Sequence, residues 1–327
     1  MSGGIGSADM DMDMDMDRDM DMSTGSVAVR AGGRVRPIGV SPALIKVPDA
    51  NGVMEDWYHG NKWPPADVQP QTQWINAYPP AYGFPRRYWD SKLYAITVLG
   101  EFVLIKNSAG KPRWNQFAPA LKALRPTTQA AIKAELDELV TLIEYRAGVM
   151  GEAMAQRTNP WAYFRGILMY NSASTPYTHD LVETASHIGQ FQAMHYKRHF
   201  SRPRPSQYSP ALLTPIDVPG HASYPSGHAT EAFLIALCLE KVMPAAASTP
   251  AGAPPPPPPL PFPGRSPLQQ MAQRIARNRE VLGLHFPSDS KAGMLLAEET
   301  FKILMKCKSI NDPNDGLIAK ASAEWWP

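Results

Sequence analysis

The sequence predicts a mostly α-helical protein. Three observations carry that expectation: apolar residues recur at helical spacing through the C-terminal two-thirds, almost no stretch alternates apolar and polar residues as a half-buried strand does, and neither an internal repeat nor a Gly-rich phosphate-cradling loop is present. The 327 residues suffice for a sizeable core. Hydrophobic residues at 44% and charged residues at 19% exclude a wholly disordered chain. The 34 prolines, about twice the usual share, require long irregular segments between the helices.

Residues 1–35 read as a disordered tail. Within it, residues 9–22 alternate Asp with Met around Arg18 and carry a local charge of −6, so the rest of a chain of net charge +2 carries +8. Residues 36–92 are rich in proline and aromatics without sustained periodicity and read as an arm wrapping the body. A helical catalytic domain is expected over 93–327. In it, Thr127 or Thr128 caps a run through about Gln156, with Ala131, Ile132, Leu136, Leu139, Leu142 and Ile143 spaced for one face. A second helix is expected from His179 to about Phe200, ending where Pro203 and Pro205 interrupt it. A third, of about sixteen residues, starts near Ser226, whose hydroxyl can cap it. Residues 244–267, with six consecutive prolines at 254–259, form a polyproline-type insertion. Helices resume over about Pro267–Leu284 and Pro287–Lys308.

The most apolar run, Leu93 to Ile105, contains Gly100 and Glu101 and falls short of the roughly 18 residues a membrane helix needs, so no membrane partner is expected. The N-terminus lacks the basic and apolar regions of a secretory signal, which makes the cytoplasm the expected compartment. Cys238 and Cys307 both lie in apolar helical patterns and read as buried packing residues.

Three separated segments gather chemistry-bearing residues. In the first, Lys197 falls in the last turn of its helix, where a cation suits the dipole, and Arg204 sits on a Pro-flanked exit. In the second, His221-Ala-Ser-Tyr-Pro-Ser226-Gly227-His228, a Ser-Gly pair at a helix N-terminus offers N–H groups, a hydroxyl and the positive dipole end to an anion. His228 in the first turn can exchange a proton with that anion. In the third, Arg279 precedes His285 by six residues, nearly two helical turns, and Asp289 follows His285 by four, so the carboxylate can accept from one ring nitrogen and leave the other nucleophilic or metal-coordinating. Each alone is ordinary: a solvated basic helix end, a capped helix, a satisfied core histidine.

Together, Lys-x6-Arg-Pro (197–205), Pro-Ser-Gly-His (225–228) and Arg-x5-His-x3-Asp (279–289) resemble the signature of the type 2 phosphatidic acid phosphatase superfamily, which includes bacterial acid phosphatases and vanadium-dependent haloperoxidases. The resemblance covers Lys197 to Asp289, with Asn278 where the pattern often has Ser. It implies an all-α helical bundle domain of the haloperoxidase/acid phosphatase type with a Pro-rich N-terminal arm. It implies that Lys197, Arg204 and Arg279 clamp an oxyanion, that Ser226, Gly227 and His228 hydrogen-bond to it, and that Asp289 orients His285. In the phosphatase branch His285 attacks phosphorus and His228 protonates the leaving oxygen. In the haloperoxidase branch His285 ligates the metal of vanadate, the implied cofactor, for whose site phosphate competes, and Lys197 polarises the oxidant.

The absence of spanning helices sets aside the membrane lipid phosphatases. His221 stands where bromoperoxidases resemble one another in carrying a histidine, and the segments PGHASYPSGHAT and RPRPSQ also look like haloperoxidases; Met194 departs from the Trp that those enzymes often carry three residues before the lysine. The expectation is a haloperoxidase preferring bromide or iodide, with hydrogen peroxide and a small organic acceptor as further partners. The alternative is a soluble acid phosphatase acting on phosphomonoesters. A homodimer or larger homo-oligomer also follows from the resemblance. Nucleic acid is not an expected partner, because the cationic run is short.

Overall fold

The structure, a computed structural model, describes residues 46–48, 54–56, 89–243 and 266–325. The tail at 1–35, most of the arm at 36–92 and the insertion up to residue 265 lie outside the described residues. Residues 46–48 and 54–56 belong to one compact unit and 89–243 with 266–325 to another. In the first, β1 (Lys46–Pro48) and β2 (Met54–Asp56) pair antiparallel, Val47 opposite Glu55. This hairpin departs from a purely α reading; three-residue strands are too short to show alternation in sequence.

In the second unit, α1 (Ser91–Leu104), α2 (Ala118–Leu124), α3 (Gln129–Thr141), α4 (Arg146–Ala155), α5 (Pro176–Phe200), α6 (Pro205–Tyr208), α7 (Gly227–Val242), α8 (Pro267–Val281), α9 (Pro287–Leu304), α10 (Lys308–Asn311) and α11 (Leu317–Ala323) follow one another, with 3-10 turns at Leu142–Tyr145, Pro160–Gly166 and Pro210–Leu212. At the centre is α7. Its residues are buried almost all round, as an apolar helix must be, and it packs against α5, α8, α9 and α11. Val98, Phe102, Leu181, Ile188, Leu234, Leu239, Ile275 and Leu304 belong to the core around it.

The helix α1 occupies the apolar run read only as too short for a membrane span, and it begins inside the stretch assigned to the arm. Asp90 caps it, accepting from Lys92 N at 2.9 Å and Leu93 N at 3.0 Å, and it packs against α5. Among the described residues no helix is long and apolar enough to cross a membrane.

Other boundaries moved for tertiary reasons. The single run expected from Thr128 to about Gln156 is two helices joined by the 3-10 turn. Thr128 caps α3, but Arg146 at the head of α4 donates to Val281 O (3.0 Å), Leu213 O (2.7 Å) and Leu212 O (2.7 Å), and these anchors set a new helix direction. The helix expected to reach Leu284 ends at Val281, because Gly283 takes φ +73° and Leu284 N bonds back to Arg279 O at 3.0 Å, a Schellman closure. The last long helix stops at Leu304, so Cys307 lies between helices rather than within one. Cys238 and Cys307 are both buried and free.

The buried helix α5 starts at Pro176, and its first amides need acceptors from elsewhere. Glu324, just past α11, supplies them, taking Tyr177 N at 2.7 Å and Thr178 N at 2.9 Å. A carboxylate there also suits the dipole. Glu324→Ala is expected to cost about 1–2 kcal/mol, seen as a lower urea midpoint at unchanged slope.

Candidate active site

The end of α5, the loop that follows it, the head of α7 and the α8–α9 junction converge. Lys197, on the last turn of α5, is 2% exposed, and its Nζ donates to Ala222 O (2.7 Å) and Ser223 O (3.1 Å). Burial and the neighbouring Arg204 charge push its ammonium well below the ordinary lysine range, while Asp289 and Glu231 pull it back. The chain leaves α5 through Ser201 in the left-handed region (φ 45°) and runs extended to Arg204. Arg204, 2% exposed, donates from Nε to His221 O (3.0 Å) and from Nη1 to Leu284 O (2.9 Å). The same Nη1 lies 3.1 Å from His285 Nε2, and Nη2 lies 3.0 Å from His221 Nδ1. Burial lowers the Arg204 guanidinium to about 10.

A guanidinium only donates, so the His285 nitrogen facing it acts as an acceptor. His221 Nδ1 also lies 3.2 Å from Ala222 O, an acceptor, and its Nε2 is a buried atom with no hydrogen-bond partner among the described residues. Burial, with Lys197 and Arg204, holds His221 at about 4, a neutral ring at pH 7. For His285, Nδ1 donates to Asp289 Oδ2 at 3.1 Å, and the Nε2 lone pair faces the Arg204 guanidinium. Burial, Arg204 and Lys197 push His285 well below the ordinary histidine range.

Ser226 caps α7, its Oγ accepting from Ala229 N at 3.4 Å. Its own N–H is committed to Asp289 O (3.0 Å), so the amides that this helix end can offer an anion begin at Gly227. Beneath the turn, Gly293 of α9 admits no side chain: a Cβ there would stand 2.7 Å from Ser226 O and 2.8 Å from Ala229 Cβ. His228, half-buried, lies 3.1 Å through Nε2 from Gln156 O, an acceptor, so Nε2 carries the proton and Nδ1 the lone pair. Burial and the Arg279 charge hold it at about 3. Arg279, 1% exposed, donates through Nη2 to Ala153 O, and its Nε is buried without a partner among the described residues. Burial lowers it to about 10, helped by Arg157.

The spacings of the third segment act differently from the helical reading. The turn at Gly283 separates Arg279, on α8, from His285, which precedes α9, so no shared helix face joins them. Likewise His285 meets Asp289 through the capping turn of α9, where Phe286 N also donates to Asp289 Oδ2 at 3.0 Å. Met194 is 40% exposed, whereas Lys197 three residues on is buried.

Several residues carry the site without a signal in the motif. Ser223 Oγ donates to Asp289 Oδ2 and lies 3.5 Å from His285 Nδ1. Arg202 Nη1 donates to Asp289 Oδ1 (2.7 Å) and Ser288 Oγ (2.7 Å), and Nη2 to Glu135 Oε2 of α3 (2.9 Å), with Cζ 3.7 Å over the Phe286 ring. Asn278 Nδ2 donates to Gln156 Oε1 (2.8 Å) and Glu152 Oε1 (3.0 Å), tying α8 to the segment whose carbonyls hold His228 and Arg279. The Arg202–Asp289 pairing joins residues 87 apart without a local signal, and the carbonyls of Ala153 and Gln156 leave no trace in side-chain identity.

Asp289 is thus satisfied by Arg202, while Lys197, Arg204 and Arg279 form no ion pair with any carboxylate among the described residues. No group of three or more His, Cys, Asp or Glu gathers among those residues to hold a metal cation. No protein-family model matches the chain, and no curated protein matches it.

Proposed function

We propose that the chain is a vanadium-dependent haloperoxidase, oxidising bromide or iodide with hydrogen peroxide to hypohalous acid that halogenates small organic acceptors. One observation carries the reading: three buried cations without carboxylate partners among the described residues bear on two imidazoles, Arg204 and Lys197 on His285 and Arg279 on His228. Buried charges call for a counter-charge, so an oxyanion fits this pocket where a bare metal cation does not. The orphaned Arg279 Nε is a donor that such an anion can satisfy. Vanadate would be held by Lys197, Arg204, Arg279 and the Ser226-Gly227 helix end, with His285 Nε2 as its one nitrogen ligand and phosphate competing for the same cations. When bound, it supplies the Lewis acidity that activates peroxide.

The protein's own groups then have distinct tasks. Asp289, bonded to Arg202 and Ser223, holds the His285 proton on Nδ1 and keeps Nε2 an electron-pair donor. His228 is neutral with its lone pair on Nδ1; an anion beside it favours the imidazolium, so it can take a proton and return it. Lys197 places its ammonium at the same pocket, two of its protons on carbonyls and one left for an incoming oxygen.

The same groups suit phosphomonoester hydrolysis, His285 Nε2 attacking phosphorus and His228 protonating the departing oxygen. What favours the halide branch is the sequence resemblance at His221, whose Nδ1 here lies 3.0 Å from Arg204 Nη2. A phosphate-free preparation, half of it given orthovanadate, is assayed for bromide oxidation with peroxide and for aryl phosphate hydrolysis. Fast bromination only in the vanadate half, with negligible hydrolysis in the other, is expected. Efficient hydrolysis inhibited by vanadate, with weak bromination, would replace this reading by the acid phosphatase.

A further inference from the structure

Glu231 stands one turn beyond Gly227 on α7 and is 6% exposed. Its Oε2 accepts from Ser186 Oγ of α5 at 2.9 Å. Its Oε1 turns toward Gly227: a Cβ built on that glycine would lie 3.8 Å from Glu231 Oε1 and 3.8 Å from Lys197 Cε. The missing side chain therefore leaves the carboxyl and the lysine facing the same space at the head of α7. Close helix packing holds the carboxyl there, since a Cβ on Gly189 of α5 would stand 3.0 Å from Glu231 Cα. Among the described residues no donor reaches Oε1 and no cation forms an ion pair with the group.

A carboxylate in this position opposes an oxyanion, whereas a carboxylic acid does not and can donate its proton to one. We propose that Glu231 is a proton-bearing wall of the anion pocket: as the neutral acid it admits an oxyanion beside Gly227 and Lys197, as the carboxylate it opposes one, and anion binding takes up a proton from solvent at this residue. The proposal rests on the reading of the pocket as an oxyanion site and assigns that site a further, proton-coupled residue.

The surroundings agree. Burial pushes the Glu231 carboxyl up to about 7, with the Ser186 bond and Lys197 pulling down and Glu183 pushing up. Lys197 and Glu183, both on α5, are the charged groups acting on it; Lys197 in turn feels Arg204 from the segment after α5 and Asp289 from α9. An anion in the pocket raises the acid further, so at neutral pH binding and protonation are coupled.

The test uses sulfate, which does not titrate near neutrality, and isothermal titration calorimetry of the full chain in buffers of different ionisation enthalpy. At pH 7 the wild type is expected to take up about half a proton per sulfate, and its affinity to fall about 10-fold between pH 6 and pH 8. Glu231→Gln, which keeps the shape and an acceptor for Ser186, is expected to take up about half a proton less than the wild type and to lose most of that pH dependence. Ser186→Ala removes the bond that favours the carboxylate and is expected to move the fall in affinity to higher pH. Equal proton uptake by wild type and Glu231→Gln would overturn the role of Glu231 alone. Failure of the wild type to bind sulfate would overturn it together with the oxyanion pocket.

Discussion

His285→Ala is expected to abolish bromide oxidation by the vanadate-treated protein, a loss on the order of 10³-fold or more, and with it the retention of vanadate through gel filtration. His285 is the imidazole whose lone pair faces the buried Arg204 guanidinium, and its other nitrogen is committed to Asp289. The variant leaves the helices intact, since His285 lies in the turn between α8 and α9, so its far-UV circular dichroism should match the wild type. Undiminished bromination would exclude His285 as the ligand, and undiminished vanadate retention would exclude it as the anchor.

Arg202→Met is expected to lower stability by about 3–5 kcal/mol, a fall in melting temperature of about 6–20 °C by thermal circular dichroism. Arg202 is buried between two carboxylates, bonded to Asp289 at 2.7 Å and Glu135 at 2.9 Å. Its removal leaves Asp289, fully buried, without its cation, while the methionine can only replace the apolar contact over Phe286. Double substitution with Glu135→Gln is expected to recover part of the loss, because the second unpaired acid goes with it. A shift below about 2 °C would mean that Asp289 is stabilised by Ser223, His285 and the Phe286 amide without Arg202.

Much of the helical framework was legible because its signals are local. Ser226 caps a sixteen-residue helix whose apolar sequence demands burial, and Thr128 caps α3, as hydroxyls before apolar runs do. Helix ends were less legible. The close of α8 at Gly283 and the turn before Arg146 depend on bonds to residues far along the chain or on a positive φ, and α1 was hidden by an arm that lacked a clear boundary. The site divides along the same line. Lys197, Arg204, His228 and His285 were readable as chemistry-bearing residues, but the reason for their approach was misread: turns, rather than turns of a shared helix, bring Arg279, His285 and Asp289 to their places.

By itself, the sequence determined most of the longer helices, where two of their caps stand, and which cations and imidazoles occur in three spaced groups, since propensity, capping and periodicity act over a few residues. Only the tertiary structure decided how those groups are tuned. Glu135 reaches Ser288 across 153 positions, Gln156 O reaches His228 across 72, and Ser186 of α5 reaches Glu231 of α7 across 45. Such contacts join groups through space, often through backbone carbonyls common to every residue, and burial then moves their proton affinities by amounts that no local pattern encodes.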